Sequence, residues 1–108
     1  MHLLTLKASA KKFPQHEQEL LALGSLVSKG YFKGPDNLRA VFSTLDNFKY
    51  LDKYYVINLG HNELRLVALI FFESQKFYVR HVFTHKEYDS FTAIHRRKRK
   101  NKWLLLTF

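Results

Sequence analysis

Apolar and polar positions alternate along the chain with two different periods. Between Gln15 and Lys29, Leu20, Leu23 and Val27 fall three and four residues apart, with Leu21 and Leu26 flanking the stripe. That spacing predicts a helix, and Gly30 is placed to cap its end. Gly34-Pro35 opens a second, short helix through PDNLRAVF, with Pro35 in its first turn and Leu38, Val41 and Phe42 on its apolar face. After Ser43 the period shortens. YYVINL (54 to 59) is aromatic and β-branched and reads as a strand. LRLVALIFF (64 to 72) is almost wholly apolar, as in a central strand covered on both faces, and KFYVRHVF (76 to 83) is a third strand. The turns GHNE and ESQK are short, so these strands are antiparallel neighbours. HLLTL (2 to 6) reads as a short first strand. THKEYD (84 to 89) begins a last helix: Thr84 and Glu87 have capping-box spacing, and Tyr88, Phe91 and Ile94 or His95 share one face. The order strand, helix, helix, three strands, helix predicts a small α+β domain. Its antiparallel sheet carries helices mainly on one face and is partly open on the other.

Composition adds size and charge. At 108 residues, 46% hydrophobic and 16% aromatic, the chain suits one domain with a proper core. Its formal net charge is +9. Six of the 18 basic residues lie between Arg96 and Lys102, and the other 12 face nine acidic residues in the preceding body. We therefore expect a folded domain over 1 to 95 and a basic extension over 96 to 108. Such a charge favours a polyanionic partner: nucleic acid, ribosome or acidic membrane surface. A solvated tail that keeps the chain soluble is the plain alternative. There is no cysteine, so no disulfide and no thiolate metal site, which fits a reducing compartment such as the cytoplasm. Apolar runs are short and broken by charge, and no basic leader precedes the first apolar residues, so neither a membrane span nor a secretion signal is expected.

Several side chains carry candidate chemistry. Arg65 is the lone charge in LRLVALIFF and must either pair with an acid or meet an anion in a cleft. Strict alternation would put Arg80 and His81 on opposite faces, His81 with the apolar set Phe77, Val79 and Phe83. FKYLDKYY interleaves Lys49 and Lys53 with Tyr50, Tyr54 and Tyr55, which suits phosphates and unpaired bases, or equally an edge strand guarded by lysines. His85 stands at a helix start, where free backbone N–H groups favour an anion. An imidazole exchanges protons near neutrality, and Tyr88 offers a hydroxyl one turn on. Together with Arg65 these groups suit RNA cleavage by a 2′-hydroxyl, which needs a base, an acid and positive charge on the phosphorane. A capping box with ordinary surface residues fits the same letters. His81 and His85 span a strand–helix junction, so helical metal spacing does not apply, and no metal or cofactor is expected.

The segments KGYFKGPDNLRAVF, LDNFKYLDKYYVINLG and NELRLVALIFFESQKFYVRHVFTHKEYD resemble the HigB toxins of the RelE-like superfamily, over about Phe13 to His95. The resemblance implies an mRNA endoribonuclease acting on translating ribosomes, at the 30S A site, without metal and leaving a 2′,3′-cyclic phosphate. It also implies a HigA-type helix-turn-helix antitoxin, through which alone the toxin would be tied to operator DNA. Carried over by position, Arg65 matches the arginine on the scissile phosphate, His85 the proton-transfer group, and Tyr88 the tyrosine of the last helix. Lys53, and Lys49 beside it, would supply lysine charge, because Val56 and Asn58 stand where RelE carries lysines. Arg80, Tyr54 and Glu87 are secondary candidates for RNA contact. Other departures are an N-terminal segment shorter by about one helical turn, roughly 3.6 residues, His61 where a second glycine is common, and the extension RRKRKNKWLLLTF. A non-catalytic RNA- or ribosome-binding module, or an inactive toxin homologue, is the alternative reading.

Overall fold

The computed structural model describes the backbone of residues 3–106 and the side chains of residues 5–98. Its helices are α1 (Leu3–Lys12), α2 (Glu17–Lys29), α3 (Pro35–Arg39) and α4 (His85–Leu106), with a 3-10 turn at Pro14–His16. The strands β1 (Asp46–Asn47), β2 (Tyr54–Leu59), β3 (Leu64–Phe71) and β4 (Lys76–Thr84) form one antiparallel sheet in that order. The fold class is the expected α+β.

Two elements differ from the sequence expectation. HLLTL does not form a strand, because residues 3 to 12 are helix α1. Leu6, Ser9, Ala10 and Phe13 are buried. Their i, i+3, i+4, i+7 spacing is a helical face that five residues are too short to reveal. Among the described residues a helix therefore comes first, and the remaining strand is β1, which pairs Asp46 with Val56 and Asn47 with Tyr55. Helix α3 stops at Arg39 rather than running to Phe42, leaving Val41 exposed. The chain is drawn to the sheet edge just beyond. Thr44 Oγ1 accepts the Asn58 N–H at 3.0 Å and donates to the Asn58 carbonyl at 3.2 Å.

Strand alternation divides the sheet into two faces. Leu64, Leu66, Ala68 and Ile70 of β3 turn to one face, where Leu6, Leu20, Leu23 and Leu38 of the first three helices complete the main core. Each fully buried leucine there contributes roughly 1.5–3 kcal/mol. Arg65, Val67, Leu69 and Phe71 turn to the other face. A smaller cluster of Phe48, Val56 and Val67 packs there against Tyr88 and Phe91 of α4. Helix α4 crosses the expected junction at residues 95 and 96 without a break. Whether the side chains of residues 103 to 108 dock on the body lies outside the described residues.

A β-bulge overturns the parity expected for β4. Val67 pairs with His81 but Ala68 pairs with Val79, so Arg80 is an extra residue. Phe77, Val79 and Val82 face the main core, whereas His81 and Phe83 lie with α4. The bulge therefore brings Arg80 and His81 to the same face, not to opposite ones.

The turn between β2 and β3 is held from below by α2. The Glu63 N–H donates to the Gly60 carbonyl at 3.0 Å, with His61 and Asn62 at φ 53° and 71°, a type I′ geometry. Histidine and asparagine tolerate that region better than most residues. Glu19 Oε2 accepts the Gly60 N–H at 3.0 Å, and His16 Nε2 lies 3.0 Å from Glu63 Oε2. Gly60 has φ 57°, and a Cβ there would come within 2.6 Å of the His16 ring. Gly60→Ala is thus expected to destabilise the domain by at least about 1–2 kcal/mol, read as a lower denaturant midpoint. An unchanged midpoint would show that the turn relaxes freely.

Candidate functional site

Arg65 sits where apolar neighbours make an unpaired charge costly. It is only 9% exposed, lies opposite Asn58 on β2 and Phe83 on β4, and has no carboxylate partner among the described residues. One guanidinium nitrogen, Nη1, donates to the Asn62 carbonyl at 2.7 Å and the Leu64 carbonyl at 3.1 Å. Those bonds tie the side chain to the turn that α2 holds. They leave the positive charge without a carboxylate among the described residues, so pairing with an acid, the first of the two outcomes open from sequence, is not what the structure shows.

The start of α4 lies at the same end of the sheet. Thr84 pairs with Leu64, and His85 follows. The capping box is complete: the Thr84 N–H donates to Glu87 Oε1 at 2.9 Å, and the Glu87 N–H donates to Thr84 Oγ1 at 3.3 Å. Lys12 of α1 donates to Glu87 Oε2 at 3.3 Å. The Thr84 backbone N–H, more than any other contact, holds the Glu87 carboxyl below its ordinary pKa, with the Thr84 hydroxyl and Lys12 adding to it. Both carboxylate oxygens are thus engaged in fixing the helix start. His85 is exposed, with Nδ1 3.7 Å from Asp89 Oδ2, too long for a hydrogen bond. Tyr88 is half-buried, its ring edge-on to Phe48 at 6.2 Å. The helix start, an exposed imidazole, a phenol and an anion-free guanidinium therefore gather at one end of the sheet.

The other candidates are spread along the sheet, Tyr54 sharing with Tyr88 the cluster around Phe48. The Lys53 carbonyl accepts the Ile70 N–H at 3.0 Å. Ile70 is five residues from Arg65 along β3, or roughly 16 Å. The Lys53 ammonium rests 5.1 Å over the Phe71 ring, and Lys49 rests 5.1 Å over Tyr50. Tyr54 pairs with Leu69, also toward that far end, and Arg80 projects from the bulge between the two regions. Lys53 thus lies toward the far end of β3 from Arg65, whereas Lys49 follows Phe48, the ring that Tyr88 meets. From α1 the structure brings Lys12 to the α4 start, which carries Lys86 in its own first turn. Nothing marks Lys12 while HLLTL (2 to 6) is read as a strand that ends before it; the helical burial period from Leu6 to Phe13 is the signal that places it. Among the described residues no three His, Asp or Glu side chains are grouped to hold a metal ion, and no helix is long and apolar enough to cross a membrane.

Two histidines brace α4 against the sheet. His81 stacks on Phe83 at 4.7 Å and touches Phe91 at 5.2 Å, while His95 meets Phe91 at 4.4 Å. Burial, then Arg80 and His95, pushes the His81 pKa down from 6.5; burial and Lys98 do the same for His95. A depressed histidine binds fewer protons folded than unfolded, so its contribution is complete above the unfolded pKa and is lost as pH falls toward the folded one. The melting temperature is expected to drop between pH 7.5 and 5.5, and His81→Phe to flatten that slope. An equal slope in the variant would remove His81 from this role.

Comparison with known proteins gives consistent matches. A family model described as HigB_toxin, the RelE-like toxic component of a toxin-antitoxin system, matches residues 16–91. The mRNA interferase toxin HigB of Escherichia coli (strain K12) is 65% identical over 103 residues, covering 93% of this chain and 99% of that protein. The mRNA interferase HigB of Shigella flexneri matches to the same extent. One from Escherichia coli O6:H1 is 35% identical over 103 residues, covering 93% of this chain and 100% of that protein.

Proposed function

The chain belongs to the HigB family of RelE-like toxins, and from that premise we propose how it works. It is the toxin of a toxin–antitoxin system and an endoribonuclease, an mRNA interferase. It acts in the cytoplasm on messages held in the ribosomal A site. A HigA-type antitoxin neutralises it and links it to operator DNA.

The observation that carries the mechanism is Arg65, nearly buried, tied to two carbonyls and without a carboxylate among the described residues. Its remaining N–H groups bind the scissile phosphate, where a fork of donors matches two phosphate oxygens. The 2′-hydroxyl attacks the adjacent phosphorus and loses its proton. The 5′-oxygen leaves and gains one, giving a 2′,3′-cyclic phosphate and a 5′-hydroxyl. His85 exchanges a proton with one of these oxygens, and Tyr88 orients or assists the other. Charge on the phosphorane is greatest between these steps, so Arg65 acts most strongly there. Glu87 holds the helix start, and Lys12 steadies Glu87. Lys53, Lys49, Tyr54 and Arg80 serve the message away from the scissile bond.

His85→Ala and Arg65→Ala are each expected to lower cleavage by about 100-fold or more and to abolish growth arrest on induction, with unchanged circular dichroism. Transcript 5′ ends mapped after induction of the parent should fall in frame within translated messages. Full toxicity in both variants would refute the roles given to these residues. Intact messages would instead favour a non-catalytic binder.

A further inference from the structure

Helix α4 covers only part of its face of the sheet. At the edge of the cluster beneath it, Tyr54 stands beside Leu69 and Tyr78 across β2, β3 and β4, and Phe71 follows opposite Lys76. These four apolar side chains are half-buried rather than covered. Phe71 and Tyr78 meet edge-on at 6.3 Å and 81°, so their faces are held in a fixed relation. Cations rim the patch. Lys53 lies 5.1 Å over Phe71, while Lys76 and Arg80 are exposed at its sides. Of the two acids nearest in sequence, Asp52 acts on Tyr55, whose side chain packs on the main core, and Glu73 is exposed in the turn between β3 and β4.

We propose that this patch is a second RNA subsite, one that stacks unpaired bases of the message on Tyr78 and Phe71 while Lys53, Lys76 and Arg80 hold their phosphates. It rests on the reading of the chain as an enzyme that cuts messenger RNA. Aromatic faces accept any base, and the flanking cations follow the backbone, so the subsite favours single-stranded RNA without fixing its sequence. Rings bordered by positive charge suit a polyanion better than a protein surface, where charge is depleted at the centre. Leu69, in the middle of the patch, is four residues from Arg65 along β3, or roughly 13 Å. A nucleotide bound at Arg65 does not reach that far, so the patch adds affinity only for longer RNA. The bulge at Arg80 serves the same end, because it turns Arg80 and His81 to this face and joins the two regions.

The test uses uncleavable 2′-O-methyl RNA, a dinucleotide and an octanucleotide, binding to the full chain at one fixed salt concentration. The octanucleotide should bind at least about tenfold tighter, and Tyr78→Ala with Phe71→Ala should remove most of that gain. Tyr78→Phe, which keeps the ring, should retain it. If the alanine variant does not fold, Lys76→Glu with Arg80→Glu, both on exposed side chains, should likewise shrink the gain. Absence of any length gain, or a full gain in the variants, overturns the proposal even where the parent cleaves RNA. So does a variant that loses only antitoxin binding, since the patch would then be a protein interface. A parent that shows the gain but never cuts RNA leaves the subsite standing and removes the enzymatic reading instead.

Discussion

A guanidinium set among apolar side chains without a carboxylate is costly, and much of one end of this sheet is arranged around that charge. Arg65 is neither neutralised nor released to water. It is tied by two backbone carbonyls to a turn whose backbone runs through three positive-φ residues. That turn keeps its shape because Glu19 and His16, from the opposite layer, hold Gly60 and Glu63. Core packing, turn geometry and site electrostatics are therefore one system. Loosening the α2 contacts would move the arginine as well as the turn.

The start of α4 is placed with equal economy. Thr84 ends β4 and caps the helix in the same residue, so sheet register fixes where the helix begins. Glu87 closes the cap, and Lys12 closes it from α1. His85 and Tyr88 inherit their positions from that joint. Phe91, braced by His81, Phe83 and His95, keeps the helix across the sheet. A catalytic part for Glu87 competes with this structural one, since both its oxygens are already used.

Much of this was legible in the letters. The three long strands, α2 and the capping box follow from period and spacing, because each is a pattern local in sequence. What was not legible depends on contacts distant in sequence. A five-residue window could not show that Leu6 belongs to a helical face reaching Phe13. Alternation could not show a bulge, because one extra residue at Arg80 looks like any other strand residue. Site residues divide in the same way. Arg65 stood out as the lone charge in an apolar run. Family resemblance, rather than the hexapeptide itself, pointed to His85 and Tyr88. The 16 Å or so that separates Lys53 from Arg65 follows only from strand register, roughly 3.3 Å for each residue.

Cleavage as proposed depends on contact between Arg65 and the phosphate that is cut, and one double comparison addresses that contact directly. An uncleavable RNA is bound with its scissile phosphate intact or replaced by a neutral methylphosphonate, by the parent chain and by Arg65→Gln. Charged hydrogen bonds contribute roughly 1.5–3 kcal/mol, so the parent should lose about tenfold or more in affinity on neutralisation while the variant loses little. Equal losses in both proteins would mean that Arg65 does not meet that phosphate and does not stabilise its transition state.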